Sequence, residues 1–155
     1  MKPVIFLRVA SILTLIHAVL HTIGGVFGDI GQGAASIAVA AMKVNTFPLM
    51  GHTRSFWDFY RGMGIGVSIT LTVEGMAFWL LSSLAKRDAT RLRPILATFA
   101  AGYLALSVNS YTYFFLGPVI AEILIAACLL FAIARANPEV ATQQAEIRTE
   151  ARSGD

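Results

Sequence analysis

Charge is scarce in this chain. Charged residues make up 14% of its 155 residues, against 56% hydrophobic ones. Soluble domains carry roughly 25% charged residues, so the composition points to a single small membrane domain. Cysteine is nearly absent as well. The one thiol, Cys128, lies in an apolar run, which excludes a disulfide framework and a cysteine-based zinc site and leaves a small core residue. The net charge of +3 gathers in no basic stripe, so nucleic acid is not expected as a partner; in membrane proteins basic residues report topology first. No A-x-A cleavage site follows the N-terminal apolar run, and Arg8, His17 and His21 interrupt it. The reading is a retained first helix rather than a signal peptide. Internal repeats are also lacking, so an inverted-repeat transporter is not indicated.

What the chain has is long apolar stretches. A helix crossing a bilayer needs about 20 mostly apolar residues, and four stretches meet that: 4–27, 62–84, 95–116 and 118–136. Pro94 is acceptable at a helix start because its missing N–H is unpaired there anyway. Asn137-Pro138 ends the last stretch. The turn at Gly117 and Pro118 is so short that the last two helices must be antiparallel neighbours. The expected fold is all-α: a four-helix, up-and-down integral membrane bundle over residues 1–136, followed by a polar, mobile cytoplasmic tail at 137–155.

Orientation follows from the cations. Lys2, Arg8, Lys86, Arg87, Arg91, Arg93, Arg135, Arg148 and Arg152 share one side, leaving only Lys43, Arg54 and Arg61 on the other. The positive-inside rule places both termini in the cytoplasm, here of a bacterium with the chain in its inner membrane. The outer segment 28–61 holds "AASIAVAAMKV", apolar nearly all round but only about 17 Å long as a helix, too short to span. It is expected on the outer leaflet or over the bundle mouth, as a lid. "SFWDFYRG" follows, with Trp57, Asp58, Tyr60 and Arg61 as interface anchors.

Ionisable residues within a membrane are costly and are functional candidates by default. Within the stretches they are His17 and His21 in "HAVLH", Glu74 and Glu122, joined by the neutral Asn109. Counting about 1.5 Å per residue, His21, Asn109 and Glu122 share a layer about 6–10 Å below the outer edge. His17 lies just below it and Tyr113 above. Ala10, Leu13, His17, His21, Gly24 and Gly28 fall on one stripe; Thr98, Gly102, Ala105, Asn109 and Tyr113 fall on another. Small residues mixed with polar ones mark helix contacts in membranes, so both stripes are expected to face inward. Gly62 and Gly66 carry the same meaning. The expected site is an outward-facing pocket of His17, His21, Asn109, Glu122 and Tyr113 holding a lipid, quinone or isoprenoid. Glu74 stands apart, with Thr70 as its nearest polar neighbour one turn away.

Two alternatives stand beside the pocket. The polar stripes can pack against a larger membrane complex or a second copy, making the chain an accessory subunit. Or His17, His21 and Glu122 can hold a divalent metal as a two-histidine, one-carboxylate set in a membrane enzyme. The zincin pattern also needs a glutamate after the first histidine, and Ala18 stands there. Haem is disfavoured, because both histidines share one helix. No residue pattern names a reaction.

"AMKVNTFPLMGHTRSFWDFYRGMG" (41–64) and "LRVASILTLIHAVLHTIGG" resemble a family of small four-helix bacterial membrane proteins with no assigned activity. The resemblance covers most of residues 5–135. It implies the four-helix architecture and lends no catalytic residues. A looser likeness, of architecture only, is to DoxX-like proteins. Glutathione-transferring membrane proteins of the MAPEG type carry Arg and Asn on their second helix, and stretch 62–84 has neither. Sterol-isomerase-like proteins use intramembrane His and Glu, which is similar in kind without a matching motif.

Overall fold

The computed structural model describes residues 2–29 and 31–136; the polar tail expected at 137–155 lies outside the described residues. The protein is predominantly helical. Helix α1 (Pro3–Leu20) runs into a π-helical turn (His21–Val26), followed by α2 (Ala34–Val44), strands β1 (Thr46–Leu49) and β2 (His52–Ser55), and α3 (Phe56–Asp88). A 3₁₀ turn (Thr90–Leu92) leads into α4 (Arg93–Tyr113), and α5 (Leu116–Arg135) follows. Pro94 sits in the first turn of α4, and only Phe114 and Phe115 separate α4 from α5.

Among the described residues, three helices are long and apolar enough to cross a membrane, where the sequence predicts four: Pro3–Val26, Phe56–Asp88 and Leu116–Arg135. Helix α4 has the length, at 21 residues, but Thr98, Ser107, Asn109, Ser110, Thr112 and three tyrosines dilute its apolar content. The second expected span also proves longer, at 33 residues, because a cap starts it early. Ser55 and Asp58 form that cap. The Ser55 backbone N–H and hydroxyl donate to Asp58 Oδ2 (2.8 and 2.9 Å), and the Asp58 N–H donates back to Ser55 Oγ (3.1 Å). This is a capping box, which satisfies N–H groups left free at a helix start.

The described residues divide into two compact units, one made of those up to 15 together with those from 74 onward, the other of those between 16 and 73. In the first, the core is built from Leu7 and Ala10 of α1, Phe78 and Ala85 of α3, Leu96, Ala100 and Tyr103 of α4, and Ile125, Ala126, Leu129 and Ala132 of α5. The members of each set lie at three-, four- or seven-residue spacing, with Ile125 and Ala126 side by side, which puts each set on one helix face. Phe78 packs edge-on against Phe99, with centroids 5.0 Å apart. Outward positions of the same helices carry large apolar side chains such as Ile5, Leu80, Leu104, Ile123 and Phe131. Gly75 marks the closest helix approach: a Cβ there would meet Leu15 Cγ at 2.7 Å, and Ser11 Oγ donates to the Gly75 carbonyl (2.6 Å).

The second unit holds the π turn, α2, the hairpin and the first part of α3. The hairpin was not anticipated. Its strands pair antiparallel, Thr46 opposite Ser55 and Leu49 opposite His52. Met50 and Gly51 turn the chain with φ of 46° and 82°, the left-handed pair that a two-residue hairpin turn requires. "MG" is a weak signal for such a turn because Met seldom takes positive φ. Phe47 of β1 contacts Phe56 and Phe59. Helix α2 covers the expected "AASIAVAAMKV" and has no buried residue.

Candidate functional site

The residues expected to form one pocket divide between the units. His17 and His21 belong to 16–73, whereas Asn109, Tyr113 and Glu122 belong with 74–155.

In the second unit His21 is tied to helix packing. His21 Nε2 lies 3.1 Å from the Gly64 carbonyl, which can only accept, so Nε2 carries the proton. Next to it, the Thr22 hydroxyl donates to the Ala18 carbonyl (2.6 Å), and its oxygen lies 2.8 Å from Ser68 Oγ. Gly64 admits this approach, since a Cβ there would stand 3.0 Å from Val26 Cγ2. The helix contact is therefore made at Gly64; Gly62 and Gly66, the expected pair, face open space. The local chain is π-helical, with the Phe27 N–H reaching back to the Thr22 carbonyl (3.0 Å). A Cβ on Gly28 would collide with the Gly24 carbonyl oxygen, so this turn requires glycine. His17 is half-buried and its Nδ1 has no partner.

The aromatic segment of this unit is organised around cations. Arg61 lies over the rings of Phe27 (4.7 Å) and Trp57 (5.9 Å), and Lys43 lies over Trp57 (5.3 Å). Trp57 and Tyr60 stack at 5.4 Å. Asp58 is engaged by its cap with Ser55, a role the expectation of an interface anchor did not include.

The first unit contains the polar cluster that sequence reasoning largely missed. The stripe Thr98, Gly102, Ala105, Asn109 and Tyr113, expected to face inward, is exposed along its whole length. The buried face of α4 is instead Leu96, Ala100, Tyr103, Ser107 and Ser110. Both faces mix small and polar residues at helical spacing, so spacing alone could not separate them. One signal was available: a buried tyrosine hydroxyl requires a partner, and Tyr103 lies in phase with Ser107 and Ser110.

Tyr103 finds that partner in Glu74. Its hydroxyl donates to Glu74 Oε2 at 2.5 Å, whereas Thr70, the expected neighbour, is exposed. From α1, the Thr14 hydroxyl donates to the Ala10 carbonyl (2.8 Å) and faces the Tyr103 phenol. Glu122 lies on the second turn of α5 with 5% of its surface exposed. Ser110 Oγ donates to its Oε1 (2.9 Å), while its Oε2 is buried with no partner. Such an orphaned oxygen costs about 1–3 kcal/mol of desolvation.

Among the described residues no group of three or more His, Cys, Asp or Glu side chains is placed to hold a metal ion. Within the second unit, His21 Nε2 is already engaged with the Gly64 carbonyl. Comparison with family models, with curated proteins and with solved structures found no match.

Proposed function

We propose that this chain is a multi-pass protein of a bacterial inner membrane that holds the polar head of a small amphipathic molecule at Glu122. Helices α1, α3, α4 and α5 cross the bilayer as an up-and-down bundle with both termini cytoplasmic, and α2 lies at the outer leaflet. The ligand class is a lipid, quinone or isoprenoid with a hydroxyl or carbonyl head. The observation that carries this reading is the buried, unpartnered Glu122 Oε2. Buried polar atoms are nearly always paired, and a ligand hydroxyl or carbonyl supplies the missing partner. Ser110 fixes the other oxygen and so aims the carboxyl. The apolar outward surfaces of α1, α3 and α5 suit lipid better than water. To test this, protein taken from its own membrane in mild detergent is extracted with organic solvent and analysed by mass. One molecule enriched to near-stoichiometric amount is expected; an extract matching bulk lipid contradicts the proposal.

A second reading rests on α4. Its exposed stripe places Asn109 among Gly102 and Ala105, and a carboxamide facing lipid lacks the partner that another helix provides. In this reading the protein is an accessory subunit, with α4 packed against another membrane polypeptide or a second copy. Gly102→Leu is then expected to convert a larger assembly to the single chain in size-exclusion light scattering. A wild-type protein already monomeric in mild detergent contradicts it.

A further inference from the structure

We propose that Lys43 and Arg61, gathered over the Trp57 ring, hold the phosphate of an anionic phospholipid at the water-facing end of α3. The site lies in the second unit and does not depend on what Glu122 holds. Lys43, Arg54 and Arg61 are the cations between residues 16 and 73, and two of the three meet on one ring. The Lys43 ammonium stands 5.3 Å and the Arg61 guanidinium 5.9 Å from the Trp57 centroid, and Arg61 also lies 4.7 Å from that of Phe27. The two cations come from separate elements, the last turn of α2 and the second turn of α3. Tyr60 stacks on Trp57 at 5.4 Å and steadies the ring between them.

Like charges repel, and an aromatic face attracts a cation without neutralising it. A carboxylate is the usual counter-charge, but the two in this stretch are engaged elsewhere. Asp58 Oδ2 accepts from the backbone N–H and the hydroxyl of Ser55, and Asp29 Oδ1 accepts from the Gly31 N–H (3.1 Å). Among the described residues neither forms an ion pair with Lys43 or Arg61. An ammonium and a guanidinium therefore offer their donors to an outside anion, and the guanidinium fork matches two phosphate oxygens. The apolar surroundings favour a lipid over a free phosphate. Trp57, Tyr60 and Arg61 occupy the first turns of a helix long and apolar enough to cross a membrane, and rings so placed sit at headgroup level. Ile65 and Ile69 follow Arg61 at four-residue steps on one helix face, and both are exposed. A lipid with its phosphate on Arg61 lays an acyl chain along this stripe, which a soluble anion leaves bare.

The test is native mass spectrometry of the full chain in mild detergent, titrated with dioleoyl phosphatidic acid. One phosphatidic acid per chain is expected, bound about tenfold more tightly than dioleoylglycerol, which has the same chains and no phosphate; Arg61→Gln and Lys43→Gln are each expected to weaken it about tenfold, the scale of a hydrogen bond to a charged group. Lys43 is exposed on α2, so Lys43→Gln tests the site even where Arg61→Gln disturbs packing. Arg54→Gln is the matched control. It removes one charge from the same unit at an exposed side chain that donates to the Thr53 carbonyl (3.2 Å), and it is expected to change binding less than about twofold. Equal losses in all three variants overturn the site, because attraction to overall charge then explains the binding. Full binding in both Lys43→Gln and Arg61→Gln overturns it too, as does dioleoylglycerol binding as tightly as phosphatidic acid. Displacement of the lipid by an equal concentration of inorganic phosphate also overturns it and assigns the cations to a soluble anion.

Discussion

Replacing Gly75 with valine is expected to collapse the first unit, lowering stability by about 3 kcal/mol, at the upper end of overpacking costs. A Cβ at this position stands 2.7 Å from Leu15 Cγ, 2.8 Å from Leu15 Cδ2 and 3.4 Å from the Leu15 backbone nitrogen. Leu15 Cγ lies one bond from a helix-held Cβ and can clear the new atom only by leaving its rotamer, where a helix leaves few others, so α1 must retreat from α3. Retreat also breaks the hydrogen bond from Ser11 to the Gly75 carbonyl. Gly62→Val is the matched control. It adds the same side chain on the same helix where nothing lies within 4 Å, and it is expected to stay within about 0.5 kcal/mol of the wild type. Unfolding midpoints in detergent check both; equal effects would mean that helix propensity, not the close approach, governs Gly75.

Glu122→Leu is expected to stabilise the fold by about 1–3 kcal/mol, because it removes a buried oxygen that has no partner. Leucine is close in size and continues the buried stripe of Val119, Ile125, Ala126 and Leu129 on α5. Ser110 loses its acceptor at little cost, since a helical serine can turn back to a carbonyl one turn earlier. A raised unfolding midpoint is the sign of a residue kept for use rather than for stability. A fall of similar size would mean that Glu122 already has a partner in the folded chain, and the ligand proposal would lose its footing.

Much of the architecture was legible from apolar run lengths. The helices at 3–26, 56–88, 93–113 and 116–135 lie where the four stretches were expected, and α2 coincides with the short apolar segment. Element ends were less legible. The start of α3 depends on a reciprocal serine–aspartate cap, and the hairpin depends on a left-handed methionine. The rotation of each helix was the hardest to read. In water, polarity tells inside from outside, but on α4 Asn109 is exposed and Ser107, Ser110 and Tyr103 are buried. The histidines drew attention because they are rare, yet the contact His21 makes is a packing bond to a backbone carbonyl. Glu74 and Glu122 were visible as residues, but their partners Tyr103 and Ser110 became visible only with the facing helix in place.

The most direct measurement of the central claim compares His21→Ala with Glu122→Leu by native mass spectrometry from the same membrane. His21→Ala, which removes a packing bond, is expected to keep the added mass of a bound molecule, and Glu122→Leu is expected to lose it while remaining folded. A mass kept by Glu122→Leu and lost by His21→Ala would rule out Glu122 as the ligand's anchor and return the site to the histidine pair.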